Sequence, residues 1–227
     1  MTDASPLACE RPSDLLAGHP ATAYFWGHVA ASGTVTADGI EVVANDEASA
    51  ATLAAIAGGE SADLDCETVT REYAHDASIT RTEDEYAVSI DGSVCDGPSG
   101  SLGMPVDGRG NYRFAAFAAH DRALLRGLLE GCGTVCYKSS SDTVGISFVH
   151  DDRKVLETVD DALAACPVDA PTGEIAETSS GGYWFGLSDA AAPDFGRWVY
   201  GESEATGLYA PSRRRKLRRS LERAENA

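Results

Sequence analysis

Leu124 to Lys138 reads LLRGLLEGCGTVCYK, and its reading decides the fold. Leu124, Leu125, Leu128 and Leu129 recur as one helical stripe, so the stretch is the end of a buried helix. Gly127 and Gly131 are four apart and share a face. A glycine inside a helix costs roughly 1 kcal/mol, and close approach of a second backbone is the expected compensation. Gly133 then ends the helix, and Thr134, Val135, Cys136 and Tyr137 are strand formers.

The layout occurs twice. Tyr24 to Val35, YFWGHVAASGTV, has Gly27 where the later copy has Gly127, and Ala31 where it has Gly131. Gly33-Thr34-Val35 matches Gly133-Thr134-Val135. At a slightly different offset, Gly39-Ile40-Glu41-Val42-Val43 corresponds to Gly145-Ile146-Ser147-Phe148-Val149, and Tyr86 to Ile90 echoes Tyr183 to Leu187. This is an internal duplication. Each copy alone leaves a small-residue helix face bare, so the two helices are expected to pair through Gly27, Ala31, Gly127 and Gly131 at a pseudo-dyad.

FWGHVAASG (Phe25 to Gly33) and LRGLLEGCG (Leu125 to Gly133) resemble the motif of LAGLIDADG homing endonucleases in single-chain, two-repeat form. The resemblance covers most of residues 21 to 220. It implies an α+β fold of two pseudo-symmetric αββαββ repeats with paired central helices. In that family the acid just before the final glycine binds a divalent metal; here those positions are Ser32 and Cys132. The earlier acid is Ala30 in the first copy and Glu130 in the second. On a helix Glu130 points about 200° away from position 132, so it does not replace the missing acid. The resemblance implies the scaffold and argues against the nuclease: no catalytic residue, metal or cofactor is assigned.

The 227 residues carry a net charge of −18 with 43 % apolar content. That is acidic without being disordered in composition. The lysines are Lys138, Lys154 and Lys216, and every other cation is arginine. Such usage resembles proteins of salt-accumulating archaea, where spread acidity gives solubility and the Debye length is about 3 Å. The first 20 residues lack a cationic start and an apolar run, and no stretch has the roughly 18 apolar residues of a membrane span. A cytoplasmic, monomeric protein without disulfides among Cys9, Cys66, Cys95, Cys132, Cys136 and Cys166 is expected.

Along the chain, residues 1–20 read as a flexible lead-in, 21–91 as the first repeat, 92–110 as a linker, 111–210 as the second repeat and 211–227 as a basic helix. Asp38-Gly39 turns the first hairpin, and Asp46 caps a helix through Ala57. Phe114 to Leu129 is expected to be helical, Asp151 to start a helix ending near Ala165, and Pro211 to open the last one. Trp184, Phe185, Trp198 and Tyr200 are expected in the core.

The last helix concentrates Arg213, Arg214, Arg215, Lys216, Arg218 and Arg219, with Arg223 beyond, making seven of the 18 basic residues. Guanidinium groups pair with phosphate, so this helix is the candidate nucleic-acid contact. Docking onto the chain's own acidic surface is the competing reading. Strand candidates offer Glu67, Arg71, Glu72, Lys138, Glu174 and Glu177, a poor positive stripe for a nucleic-acid saddle. Cys132 and Cys136 have no partner pair for a zinc set, and His28 reads as a buried, hydrogen-bonded histidine. Two functions remain: a catalytically inactive LAGLIDADG-like protein that binds nucleic acid or regulates, and an accessory protein of a metabolic pathway. The second rests on a resemblance to haloarchaeal proteins encoded among cobalamin-biosynthesis genes; no residue shows corrin binding.

Overall fold

A computed structural model of the chain describes residues 7–36, 38–58, 62–73, 76–91, 101–104, 112–179 and 181–227, without the side chains of 68–83. Helix α1 (Pro20–Ser32) runs into the hairpin β1 (Gly33–Val35) and β2 (Gly39–Ala44). Helix α2 (Glu47–Ala57) and the long pair β3 (Ala62–Tyr73) and β4 (Asp76–Asp91) complete the first repeat. The second repeat follows the same order with α3 (Asp121–Cys132), β5 (Gly133–Lys138), β6 (Thr143–His150), α4 (Arg153–Ala165), β7 (Ala176–Glu177) and β8 (Tyr183–Gly186). Helices α5 (Ala192–Val199), α6 (Ser203–Thr206) and α7 (Pro211–Glu225) end the chain.

The sheets are antiparallel and share one strand order, β1-β2-β4-β3 and β5-β6-β8-β7. The fold is therefore α+β with two αββαββ repeats. Local chemistry sets the starts: Pro20 opens α1, where its missing N–H has no role, and Asp46 accepts the Ala48 N–H at the start of α2.

Helices α1 and α3 cross at backbone contact. A Cβ on Gly27 would lie 2.4 Å from the Leu124 carbonyl oxygen, and one on Gly127 would lie 2.2 Å from that of Tyr24. Gly131 faces Ala31, whose Cβ would be 2.5 Å from an added one. Both helices pass straight into a strand. Gly33 and Gly133 have φ of −104° and −93°, so they are extended and carry the chain directly from helix to strand. Glycine is required there for room, since a Cβ would sit 2.7 Å from the Val29 oxygen and 2.5 Å from the Leu129 oxygen. From Ala21 to Ala31 every residue of α1 is buried, as a helix covered by α3 on one side and by β1, β2 and α2 on the other must be.

Several expectations need correction. The helix expected over 114–129 is a 3-10 turn, Ala115–His120, followed by α3. Phe114 and Phe117 are both buried three residues apart, the repeat of a 3-10 helix. Trp184 is not core: it is 45 % exposed, because strand alternation sends Phe185 inward onto Phe148 and Trp184 outward. Trp198 is half-buried beneath Arg122, and Tyr200 is buried. The alternation of the sequence predicts strands over Cys66 to Ala74, Glu85 to Ile90 and Glu174 to Thr178; β3 and β4 are longer than the first two and β7 is shorter than the third. Of the segment read as a linker, 101–104 is described, with Leu102 and Met104 buried; its remainder lies outside the described residues. Among the described residues no helix is long and apolar enough to cross a membrane.

Candidate nucleic-acid interface and the motif helix ends

The ends of α1 and α3 meet at the centre, and their side chains are already engaged. Ser32 Oγ donates to the Val43 carbonyl at 2.8 Å, and His28 Nδ1 is 3.3 Å away. Cys132 Sγ donates to the Leu128 carbonyl at 3.4 Å, and burial pushes its thiol up to about 12. A hydroxyl bound to carbonyl oxygen and a protonated thiol do not make the oxygen set a hard divalent cation takes. The metal that a homing-endonuclease fold implies therefore does not fit these residues. Among the described residues, no group of three or more His, Cys, Asp or Glu is arranged to hold a metal ion.

Glu130 turns the other way, into the interior between the repeats. Its Oε2 accepts the Tyr24 hydroxyl at 2.6 Å and its Oε1 accepts the Ala210 N–H at 2.9 Å. Ser49 Oγ continues the chain, 3.1 Å from the Tyr24 hydroxyl and 3.5 Å from His28 Nε2. His28 is buried, and desolvation lowers it to about 3, so it is neutral. Burial also lifts Glu130, from 4.5 to about 7, against the pull of Tyr24, Ala210 and the Arg126 charge. A carboxyl whose folded value is raised stabilises the fold below its unfolded value. That contribution is lost as pH rises from 4.5 through about 7. The span is worth on the order of 3 kcal/mol. Glu130→Gln keeps an acceptor for Ala210 and cannot ionise. Denaturant unfolding at about pH 5 and about pH 8 is expected to show the parent losing stability relative to this variant. Parallel pH dependences would remove Glu130 as the source.

The sequence did not point to Arg126. Its guanidinium, 3 % exposed, donates to the carbonyls of Val199 at 2.7 Å, Leu208 at 2.8 Å and Gly201 at 3.1 Å. The one available signal was a charged pair, Arg126 and Glu130, four apart inside an apolar helix.

The basic helix α7 is docked. Glu130 takes the N–H of its capping residue Ala210, and Asp46 Oδ2 takes that of Ser212 at 2.8 Å. Asp46 thus serves the starts of both α2 and α7. Leu217 and Ser220 are buried along one side. Arg214 pairs with Glu204, Arg218 with Glu222 at 3.6 Å, and Arg223 lies over the Tyr137 ring. Arg213 is half-buried near the centre, where its charge lowers His28 and opposes the rise of Cys132. Arg215, Lys216 and Arg219 are exposed.

Among the described side chains, the solvent faces of the sheets carry little positive charge. Across the first sheet, Thr34, Glu41, Ser89 and Asp63 form one exposed row in register. Asp65 and Glu67 extend it. On the second sheet Lys138 is held by Asp189 at 2.5 Å, and Val149 pairs across the strands with Trp184, both nearly half exposed. The side chains of Arg71 and Glu72 lie outside the described residues.

The chain matches, over residues 1–227, the family model LAGLIDADG_4, described as "Putative archaeal homing endonuclease". No curated protein matches it. Among solved structures, the homing endonuclease I-WcaI bound to its DNA recognition sequence aligns with a TM-score of 0.54 at 9 % identity, covering 88 % of this chain and 87 % of that one. Full-length DUF199/WhiA from Thermatoga maritima aligns with a TM-score of 0.53 at 12 % identity. That alignment takes in 97 % of this chain, which spans only 63 % of the length of that one. I-DmoI in complex with DNA and Ca aligns with a TM-score of 0.52 at 12 % identity, over 91 % of this chain and 100 % of that one. At such identities the likeness is one of fold.

Proposed function

Since this chain belongs to the LAGLIDADG homing-endonuclease family, we propose that it is a catalytically inactive member that engages nucleic acid through its basic C-terminal helix. The observation that carries the reading is the state of the motif ends. Ser32 and Cys132 are tied to backbone carbonyls, and Glu130 is committed to Tyr24 and Ala210. Phosphodiester hydrolysis with Mg²⁺ needs carboxylates at the scissile bond to hold the ion, and these positions supply none. The described sheet faces are acidic or neutral, so the phosphate-attracting charge lies on α7 instead, in Arg215, Lys216, Arg218 and Arg219.

The test uses the full chain. Deleting 211–227 would strip Asp46 of the Ser212 N–H, remove the buried Leu217 and Ser220, and confound binding with folding. Incubation with mixed duplex DNA and Mg²⁺ or Mn²⁺ is expected to leave the DNA uncut. Retention on nucleic acid is expected to fall with salt and to be lost in Arg215→Gln/Arg218→Gln/Arg219→Gln. Specific cleavage that disappears in Glu130→Gln would falsify the inactivity, and retention unchanged in the triple variant would remove α7 as the contact.

A further inference from the structure

We propose that the groove between α5 and α7 takes an unstacked nucleotide of single-stranded nucleic acid, and that the chain prefers single strands to duplex. This rests on the reading that α7 contacts phosphate and assigns that contact a place and a ligand.

The groove is a cavity of about 370 Å³. Leu217 and Pro211 give it an apolar lining, and Tyr209, with the Arg214 guanidinium over its ring at 5.3 Å, forms part of its wall, so a base would stack on this pair. Arg197, Arg214, Arg215 and Arg218 stand around it. The volume falls within the roughly 300–1,000 Å³ of small-ligand sites, which combine an apolar lining with a few charged groups. An aromatic ring beside arginines is also how proteins hold single strands: bases stack on the ring and the cations follow the backbone. A duplex keeps its bases stacked inside and offers nothing to fill a pocket of this shape.

The arginines on the rim are held in place but not used up. Glu130 and Asp46 fix the start of α7, so Arg214, Arg215 and Arg218 project from a set helix. Three of the four groove arginines have carboxylate partners, Arg197 with Asp194 and Glu225, Arg214 with Glu204, and Arg218 with Glu222. These carboxylates are 60 % exposed or more. Exposed pairs contribute little, so a phosphate can displace them. Arg215 is exposed and, among the described residues, has no carboxylate partner. The exposed row on the first sheet, with Glu41, Asp63, Asp65 and Glu67, would repel a duplex laid across it.

The experiment is fluorescence anisotropy of the full chain with a labelled thymidine homopolymer and with a duplex of equal length, at the lowest salt that keeps the fold. The single strand is expected to bind roughly tenfold more tightly or better. Arg215→Glu and Tyr209→Leu are each expected to weaken it about tenfold, whereas Arg153→Glu, at the exposed start of α4 and outside the groove, changes it about threefold or less. Circular dichroism checks the fold of Tyr209→Leu, and Arg215→Glu carries the test if that variant unfolds. Duplex binding as tight as single-strand binding, or Arg153→Glu matching Arg215→Glu, overturns the groove. Failure of both nucleic acids to bind overturns the groove and the α7 reading together.

Discussion

Gly127→Leu is expected to cost more stability than any surface change, roughly 3 kcal/mol or more, and to unfold a marginal protein outright. The cause is a backbone contact. Even the first added carbon would stand 2.2 Å from the Tyr24 carbonyl oxygen and 2.9 Å from the His28 nitrogen. Neither atom can rotate away, so α1 and α3 must separate. Separation also disturbs the polar interior, because Tyr24 and His28 belong to the chain of groups around Glu130. Gly127→Ala is the sharper measurement. In a loosely packed helix, alanine would stabilise by roughly 1 kcal/mol through propensity alone. At this crossing the clash is expected to reverse the sign. Urea unfolding of Gly127→Ala, with Gly27→Ala as its pseudo-dyad counterpart at 2.4 Å from Leu124, decides it. A Gly127→Ala variant more stable than the parent would show that the helices do not meet here.

The helix crossing was legible because it is written in composition: only glycine allows two backbones to touch, and the pattern occurs twice. That the two halves share one architecture followed once the duplication was recognised. Side-chain direction within strands was less legible. The run Tyr183-Trp184-Phe185 reads as core by hydrophobicity, yet alternation buries Phe185 and exposes Trp184. The helix from Phe114 failed for a related reason, since Phe114 and Phe117 have the spacing of a tighter helix. Least legible was the polar interior. Tyr24, Ser49, Glu130 and the Ala210 N–H are brought together from four separate segments, and nothing local marks them as neighbours. Asp46 was recognised as the cap of α2, but its second oxygen serves α7, 166 residues away in sequence.

Arg126→Met is the second substitution with a large expected effect, about 3–5 kcal/mol. Methionine keeps the apolar stem and helix propensity, so the loss isolates the guanidinium. Three carbonyls, from Val199, Gly201 and Leu208, would lose their donor. They lie in the turn joining α5 to α7, around the short helix α6, where the backbone is irregular and Glu202 has a left-handed φ of 59°. Hydrogen bonds from a charged donor are worth about 1.5–3 kcal/mol each, and a buried carbonyl left without one costs as much again in desolvation. Lysine should not rescue, because one ammonium cannot replace a planar fork spread over three acceptors. The loss should also reach Glu130, whose carboxylate the Arg126 charge helps to keep ionised. Burial alone would then raise it further, and the pH-dependent loss of stability would move to higher pH. Thermal unfolding measures the first effect. Hydrogen exchange over residues 199–208 separates a local opening from a global one, with fast exchange there expected before the sheets yield. Stability and exchange both unchanged in Arg126→Met would mean that these carbonyls are satisfied by water and that the guanidinium does not hold the turn.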